Sequence, residues 1–497
     1  MKELTISLDP QSVTPLYEQI YQYVKEDIQS GRLACGVKLP SSRSLARYLE
    51  ISRSTVELAY EQLLSEGYIE TKPRKGVFVA QIDGVYQFRR EEQPGTERQE
   101  EQREKYRYDF SPSGIDLKSF PYAVWRKLSR EVLLDDRAET FRLGDSQGEY
   151  GLRSAISSYL HQARGVRCRP EQIIVGAGND YLLMLLINIL GKDKKVAFET
   201  PTYKQAYRLF ANLSQEVCTV PMDHSGMRTD LLEKSGAQVA YVMPSHQFPL
   251  GVVMPIRRRL ELLKWADRGE RYIIEDDYDS EFRYKGKPIP ALQGYDIHER
   301  VIYLGTFSRS IAPALRMSYM VLPESLLCVY EREYRFINST VSKIDQKIVE
   351  RFLAEGYYER HLNRMRALYK SRHDTLLNAL KPLLSIGSVS GEYAGVHLLF
   401  TFHDGRSEED AVKKAKQGGI RIYGLSTFET QKMQRSCTIL LGFANLPEEE
   451  IRAGAALLSR KNYWNDKKGG GLLWQPPFVN WKRQMIKEKG KEKIGWK

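Results

Sequence analysis

Seven short apolar runs alternate with helical stretches between residues 173 and 322, and this rhythm constrains the fold more than any other feature. Each run has four or five residues, the length of a buried strand rather than a helix. Strands alternating with helices predict an α/β fold with a mainly parallel sheet covered by helices. The runs are 173–176, 196–199, 217–220, 239–243, 272–275, 301–305 and 319–322.

Residues just beyond these runs are the first candidates for a ligand site, because α/β sheets bind ligands beyond the carboxyl ends of their strands. The segment GAGND (176–180) opens a helix predicted over 181–190, where small residues expose backbone N–H groups to a phosphate. Asp276 and Tyr278 follow the fifth run. A carboxylate can keep a pyridine nitrogen protonated, and a tyrosine hydroxyl can hold a phenolate oxygen.

Three further strand ends carry similar signals. Tyr203 follows the second run and could stack on a ring, and the fourth run leads into the turn PSHQFPLG (244–251). Thr306 and Ser308 follow the sixth run as hydroxyl donors, with Arg316 as a candidate phosphate partner. Each signal is weak alone, since acidic loops and solvated turns are common after strands. Their recurrence at five strand ends is what favours a cofactor site.

The first eighty residues predict a separate winged helix. Thr14 and Pro15 start a helix with apolar residues at four-residue spacing. Two short helices then follow, joined by a tight break at 50–52, which is the helix-turn-helix pattern. A hairpin with the basic turn 72–76 completes the wing. The alternative is an ordinary helical subdomain whose charged side chains are merely solvated.

The start of the second short helix is the predicted DNA reader, since helix N-terminal residues reach base edges in the major groove. Cations on the first short helix and on the wing are placed for phosphate contacts. The predicted DNA-binding residues are Arg43, Ser52, Arg53, Ser54, Thr55, Arg74 and Lys75.

Residues 13–81 closely resemble the winged helix of the GntR family, with its pattern LPS-x-R-x-LA…SR-x-TV…L-x-x-EGYI…V. The resemblance implies a double-stranded DNA operator as partner. The wing departs from the family, which usually has a glycine-rich turn where this chain has RKGV.

Two segments have the composition of solvated chain rather than of a core. Residues 82–107 are polar, of mixed charge and almost free of aliphatic side chains, which predicts a flexible linker. Residues 460–497 carry eleven Lys and Arg against three Asp and Glu, and 461–497 is predicted to be a basic, disordered tail. Because this tail holds most of the net charge of +12, the charge alone does not indicate DNA binding.

Residues 108–460 resemble the class I/II aminotransferases, the fold-type I enzymes that use pyridoxal 5′-phosphate (PLP), with a smaller C-terminal α/β subdomain. The resemblance includes GDSQGEYGLR (144–153), RGVRCRPEQIIVGAG (164–178), EDDYDSEFRY (275–284) and YLGTFS (303–308). With the winged head ahead of this body, the chain resembles the MocR-type regulators, the PLP-binding branch of the GntR family.

The resemblance implies a role for each matched residue. Asp276 would pair with the pyridinium nitrogen, Tyr278 would hold the O3′ oxygen, and Tyr203 would flank the ring. Gly178, Asn179, Thr306 and Arg316 would surround the phosphate, and Ser308 is a further cofactor-binding candidate as a hydroxyl donor.

The Schiff-base lysine of the family is replaced by Arg309. A guanidinium stays protonated and cannot serve as the amine that condenses with an aldehyde, so no catalytic residue is assigned. PLP is expected to be held noncovalently if it binds. Gln205 stands where amino-acid-sensing members have an arginine, and Arg435 is the arginine nearest the C-terminal strand 438–444.

The sequence favours a DNA-binding regulator whose body binds PLP or a related effector and forms a homodimer, without turnover. A small amine or a vitamin B6 compound is the expected effector. The alternatives are a working aminotransferase, a regulator whose body no longer binds PLP, and an engineered replacement at Arg309.

The cysteines, the histidines and the lengths of the apolar runs bear on disulfides, metal sites and cellular location. The five cysteines form no CxxC pair and the eight histidines are scattered, so neither a disulfide frame nor a metal site is predicted. The chain shows no signal core and no run of 18 apolar residues, which predicts a cytoplasmic protein without a membrane span.

Overall fold

The computed structural model describes residues 6–81, 106–134, 138–213, 216–284, 289–430 and 437–459. The chain divides into two compact units, Met1–Arg103 and Glu104–Lys497. Nearly all of the predicted linker (82–107), the predicted tail (461–497) and Arg435 lie outside the described residues.

The α-helices of the described residues are α1 (Leu16–Gln29), α2 (Ser42–Tyr48), α3 (Arg53–Ser65), α4 (Tyr122–Leu134), α5 (Tyr150–Arg164), α6 (Asn179–Leu190), α7 (Lys204–Asn212), α8 (Thr229–Lys234), α9 (Ile256–Arg268), α10 (Glu324–Glu333), α11 (Lys343–Ala354), α12 (Tyr357–Leu380), α13 (Glu408–Gln417) and α14 (Glu448–Leu458). The strands are β1 (Ile69–Lys72), β2 (Gly76–Val79), β3 (Tyr108–Asp109), β4 (Ile173–Gly176), β5 (Val196–Thr200), β6 (Val217–Asp223), β7 (Gly226–Met227), β8 (Val239–Val242), β9 (Tyr272–Asp277), β10 (Val301–Thr306), β11 (Ser318–Val321), β12 (Gly387–Ser390), β13 (His397–Phe402), β14 (Ile420–Arg421), β15 (Tyr423–Gly424) and β16 (Thr438–Gly442).

The head is a winged helix-turn-helix, as predicted. Helix α1 buries Ile20, Val24 and Ile28, the stripe expected from their four-residue spacing. Ser41 and Ser52 are the N-caps of α2 and α3, and each hydroxyl accepts a hydrogen bond from the backbone N–H three residues later. The three helices therefore share one small core that does not include the body.

The wing is an antiparallel hairpin of β1 and β2, with Ile69 opposite Val79. Its turn uses two positive φ angles, 60° at Arg74 and 112° at Gly76. Glycine adopts such an angle without strain, and at Gly76 a side chain would also meet the end of Lys38. One glycine thus allows the turn to close although the family's glycine-rich sequence is missing.

The body is built on an eight-stranded sheet in the order β4-β11-β10-β9-β8-β5-β6-β7. Strands β10, β9, β8, β5 and β6 pair in parallel, whereas β11, β4 and β7 are antiparallel to their neighbours. The sheet is therefore mainly parallel, as predicted. The run 319–322 corresponds to the antiparallel strand β11, and the run 217–220 extends to Asp223.

Both faces of this sheet are covered, which explains the continuous apolar runs. In β4, Ile174 packs with α6 residues on one face, whereas Ile173 and Val175 pack with α5 and α11 residues on the other. Every residue of β4, β5, β8 and β11 is buried. The carboxyl ends of the parallel strands are left as the accessible edge for a ligand.

A smaller C-terminal subdomain contains the four-stranded sheet β12-β13-β16-β15, whose pairings are all antiparallel. Residues of α12, α13 and α14 pack against it in one core cluster. This matches the predicted smaller α/β subdomain. In the part of the chain that the structure describes, no helix has both the length and the apolarity needed to cross a bilayer.

Candidate functional site

The predicted DNA-binding residues lie on the surface of the head. Arg43 is on α2, Ser52 to Thr55 form the start of α3, and Arg74 and Lys75 are in the hairpin turn. All seven are exposed except Thr55, which is half-buried. The opposite side of α3 buries Val56, Ala59, Tyr60 and Leu63.

Hydroxyl groups organise the start of α3. Ser52 Oγ accepts a hydrogen bond from the backbone N–H of Thr55 at 3.2 Å. The same oxygen lies 2.8 Å from Ser54 Oγ and 2.7 Å from Thr55 Oγ1. This cluster holds the helix end, where exposed N–H groups and the helix dipole favour a phosphate.

Arg53 is held along the helix by an acidic neighbour. Its Nε donates to Glu57 Oε1 at 2.7 Å, and Glu57 Oε1 also accepts from Ser42 Oγ at 3.3 Å. About two thirds of the Arg53 side chain remains exposed. The guanidinium is therefore oriented before any DNA is present, although its pairing with Glu57 was not anticipated from the sequence.

In the body, eight of the nine predicted cofactor residues line one cavity of about 250 Å³. They come from segments more than 130 residues apart, brought together at the carboxyl ends of the strands. The eight are Asn179, Tyr203, Asp276, Tyr278, Thr306, Ser308, Arg309 and Arg316. The ninth, Gly178, caps α6 beside Arg316. The cavity is also lined by Ser113, Asp180, Gln205, Met243, Phe248 and Phe428, which the motifs did not assign to it.

Three details of these segments differ from prediction. Helix α6 begins at Asn179 rather than at 181, so Asn179 and Asp180 belong to its first turn. Asp276 lies within β9 rather than in a loop after it, because pairing with β10 continues through Asp277. Thr306 is likewise the last residue of β10.

Asp276 presents one unsatisfied carboxylate oxygen. Tyr241 donates a short hydrogen bond to Oδ2, whereas the buried Oδ1 has no partner among the described residues. Burial raises the pKa of Asp276 to about 7. A buried acceptor without a donor is costly, so this oxygen suits the N–H group of a protonated ring nitrogen.

Tyr278 belongs to a buried polar cluster. Its hydroxyl lies 3.0 Å from His246 Nδ1, which in turn lies 3.0 Å from both oxygens of Asp279. Burial raises the pKa of Tyr278 well above its ordinary value, so the phenol stays protonated at neutral pH. His246 is part of the motif PSHQFPLG, but its contact with Tyr278 depends on folding and was not predicted.

Arg316 and the start of α6 form a cationic corner. Arg316 Nη2 lies 3.1 Å from Asp180 Oδ2. A Cβ at Gly178 would lie 2.6 Å from Arg316 Nη2, and the φ of Gly178 is +90°. The backbone angle therefore favours glycine there, and a side chain would also displace the end of Arg316 from its present position. The side-chain oxygen of Asn179 is buried and unpartnered among the described residues.

Arg309 is half-buried at the cavity wall. Its Nη1 donates a long hydrogen bond of 3.4 Å to the carbonyl of Pro112, and no ion pair to it occurs among the described residues. Burial raises the pKa of Tyr203 to about 12, and the charges of Arg309 and Arg316 partly oppose that rise. The guanidinium is thus close enough to act electrostatically on the groups of the cavity.

No lysine occurs among the described residues that line the cavity. Lys204, the residue next to Tyr203, directs its Nζ to the carbonyl of Thr427 at 3.2 Å. Gln205 accepts from the Tyr203 hydroxyl and donates to Asp180. The described lining can therefore hold a phosphorylated ring by charge and hydrogen bonds, but it includes no amine nucleophile.

The chain is similar to two known families in succession. Residues 16–79 match the family described as bacterial regulatory proteins, gntR family, and residues 115–457 match aminotransferase class I and II.

Two regulators match the chain along most of its length, and a solved aminotransferase matches the larger part of it. The chain is 41% identical to the uncharacterized HTH-type transcriptional regulator YdeL of Bacillus subtilis (strain 168), over 88% of this chain and 95% of that protein. It is 30% identical to the probable rhizopine catabolism regulatory protein MocR of Rhizobium meliloti, over 90% and 94%. Among solved structures, the multiple substrate aminotransferase of Thermococcus profundus matches with a TM-score of 0.65 and 27% identity, over 71% of this chain and 90% of that one.

Proposed function

The chain belongs to the MocR-type regulators, in which a GntR head is joined to an aminotransferase class I and II body, and on this premise we propose how it works. It is a DNA-binding transcriptional regulator. We place its head at 13–81 and its body at 108–460, ranges that enclose the two family matches. The head reads an operator, and the body binds an effector that changes this reading.

The exposed start of α3 carries the proposal for the head. Arg53 and Ser54 are exposed, while the opposite side of α3 is fixed in the core. This is the arrangement by which a recognition helix enters a major groove. Arg43, Arg74 and Lys75 then contact phosphates without reading bases.

A binding titration of the full chain tests this proposal. Labelled DNA from upstream of the gene is titrated at several salt concentrations, with a shuffled duplex as control. The expected result is tighter binding to the upstream DNA, with an affinity that falls steeply with salt. Equal affinity for both duplexes would contradict sequence-specific reading by α3.

For the body, the unpartnered oxygen of Asp276 carries the proposal that PLP binds noncovalently. Asp276 holds the protonated ring nitrogen, Tyr278 the ring oxygen, and Tyr203 flanks the ring. The phosphate is held by Arg316, with Gly178, Asn179, Thr306 and Ser308 around it. When bound, PLP supplies a phosphorylated pyridine ring that carries an aldehyde.

Arg309 supports a regulator without turnover. Transamination needs an amine that holds the cofactor covalently and a base that moves protons, and a guanidinium supplies neither well. Among the described residues, Arg309 instead donates one hydrogen bond, to the carbonyl of Pro112 at the cavity wall. The sequence-based expectation of a small amine as effector remains a prediction beside that of a vitamin B6 compound.

Calorimetry combined with mass spectrometry separates the alternatives. We expect PLP to bind the full chain and to leave no added mass on residue 309 after borohydride reduction. A borohydride-stable adduct on a lysine would revive the aminotransferase alternative. If PLP binds neither the protein nor its Arg309→Lys variant, the body is only a scaffold.

We also propose that two chains pair through their bodies. Operators with paired half-sites need two heads, and homodimers are the commonest oligomers. Phe141 and Leu143 support this, since their side chains are 71% and 81% exposed on the body. Sedimentation should give a dimer at micromolar concentration, and a monomer there would count against it.

A further inference from the structure

Arg309 has spare hydrogen-bonding capacity inside the cavity. A guanidinium carries five N–H donors, and within the described residues only one of those on Arg309 has a protein acceptor, the carbonyl of Pro112. Neither of the two described lining carboxylates forms an ion pair with Arg309. Asp180 pairs with Arg316 and accepts from Gln205, while Asp276 is buried against Tyr241.

The ring contacts in the proposed function fix which part of a vitamin B6 phosphate meets Arg309. The ring nitrogen, the ring hydroxyl and the phosphate arm are assigned to Asp276, Tyr278 and Arg316. On this ring the 4-substituent lies directly opposite the nitrogen, between the hydroxyl and the phosphate arm. It therefore points away from Asp276, toward the position that a Schiff-base lysine takes in the aminotransferase class I and II frame, which here is Arg309.

We propose that Arg309 makes this cavity a site for vitamin B6 phosphates whose 4-substituent bears an oxygen acceptor, and that it disfavours those whose 4-substituent is an ammonium group. The proposal rests on the proposed noncovalent binding of PLP. A hydroxyl or aldehyde oxygen accepts from the guanidinium, whereas an aminomethyl group is protonated at neutral pH and meets a like charge.

The same substitution that prevents covalent binding therefore changes selectivity. A lysine distinguishes PLP from the other vitamers by reacting with its aldehyde, and that distinction is lost with Arg309. Charge replaces it. Of the two carboxylates among the described lining residues, Asp276 is assigned to the ring nitrogen and Asp180 is paired with Arg316, so neither is placed to neutralise an ammonium on the 4-substituent. Pyridoxine 5′-phosphate, which has no aldehyde, becomes as suitable a ligand as PLP.

Pyridoxine 5′-phosphate and pyridoxamine 5′-phosphate test this inference, because they differ only in a hydroxyl against an ammonium on the 4-substituent. Neither can react covalently with any side chain. Both are titrated into the full chain and into its Arg309→Gln and Arg309→Lys variants by calorimetry at neutral pH. The affinity ratio within one protein is insensitive to how much of a variant is folded.

We expect the natural protein to bind the pyridoxine compound about tenfold more tightly or better. The ratio should fall to within about threefold of one in Arg309→Gln, and it should also be smaller in Arg309→Lys, because an ammonium can lose its proton whereas a guanidinium cannot. Equal affinities in the natural protein, or an unchanged ratio in Arg309→Gln, would each overturn the inference. Failure of both ligands and of PLP to bind any variant would instead overturn the proposed function of the body.

Discussion

The head and the body place their functional side chains in opposite environments. The head carries its candidate DNA contacts on the surface, from segments close together in the sequence, and local caps organise them. The body assembles its cavity from residues between Ser113 and Phe428, around a carboxylate that is only 4% exposed. The proposed function of the head thus depends on exposed charge, whereas the proposed function of the body depends on burial and on the identity of one residue, Arg309.

The variant with the largest expected effect tests whether Arg316, in the cationic corner, binds the phosphate of PLP. Arg316→Ala should weaken PLP binding about 100-fold, because it removes charge-assisted hydrogen bonds to the phosphate. Arg169→Ala is the matched control, since Arg169 is also exposed and paired with an acid, Glu324, away from the cavity. Calorimetry should show the loss in the first variant only, and similar losses in both would remove Arg316 from the site.

The corresponding test for the head is Arg53→Ala. It should weaken operator binding by about 1–3 kcal/mol and relax the base preference at one position. Arg32→Ala is the control, because Arg32 has nearly the same exposure, 65% against 64%, and pairs with Asp27 in the same unit. PLP binding should be unchanged in both variants, and an altered PLP affinity would break the separation of the two regions.

The pH dependence of stability tests whether the body's buried carboxylates, Asp276 among them, are protonated in the folded state. Burial raises the pKa of Asp276 from 3.8 to about 7, so the folded state binds more protons than the unfolded chain between these values. Stability from this group is therefore present at low pH and is lost as pH rises toward 7. Burial raises the pKa of Glu199, Glu275 and Glu281 to about 7 as well, with the same sign.

Urea unfolding of the natural protein and of Asp276→Asn, at pH 5 and pH 7 without ligand, measures this effect. Between the two pH values, the variant should lose less stability, by up to about 1 kcal/mol per pH unit. Identical pH slopes in the two proteins would mean that Asp276 stays ionised in the folded cavity.

The smallest expected effect concerns the wing. Lys75→Ala should weaken binding to all DNA sequences alike and reduce the slope of log affinity against log salt by about 1. Lys72→Ala in the same hairpin is the control, since Lys72 is paired with Glu70 and lies over the Phe78 ring. A base-specific loss in Lys75→Ala would show that the wing reads sequence as well.

The head could be predicted from the sequence more completely than the body, because its features are local in the chain. The break at 50–52 before α3 and the hairpin are local, so residue type and spacing were enough to predict them. In the body, the apolar runs located the strands, because both sheet faces are buried. The beginning of α6 and the end of β9 were each misplaced by two residues, since pairing and burial rather than local pattern set them.

Pairwise contacts within the cavity could not be predicted, because they join residues far apart in the chain. The bonds of Asp276 with Tyr241 and of His246 with Asp279 span more than 30 residues, and that of Arg316 with Asp180 spans 136. Family resemblance identified one member of each of the first and last pairs. Their partners follow only from the folded geometry.

The pairing of Arg316 with Asp180 makes occupancy of the cavity a competition. A ligand phosphate that binds Arg316 must share it with Asp180 or displace it, so the apparent affinity is lower than the phosphate contact alone would give. A displaced Asp180 also changes what Gln205 donates to, and Gln205 accepts from Tyr203. By linkage, any event that draws Asp180 toward Gln205 tightens phosphate binding to the same degree that phosphate binding favours that event. Binding of a phosphate in the cavity can thus change the contacts between Asp180 at the start of α6 and Gln205 at the start of α7.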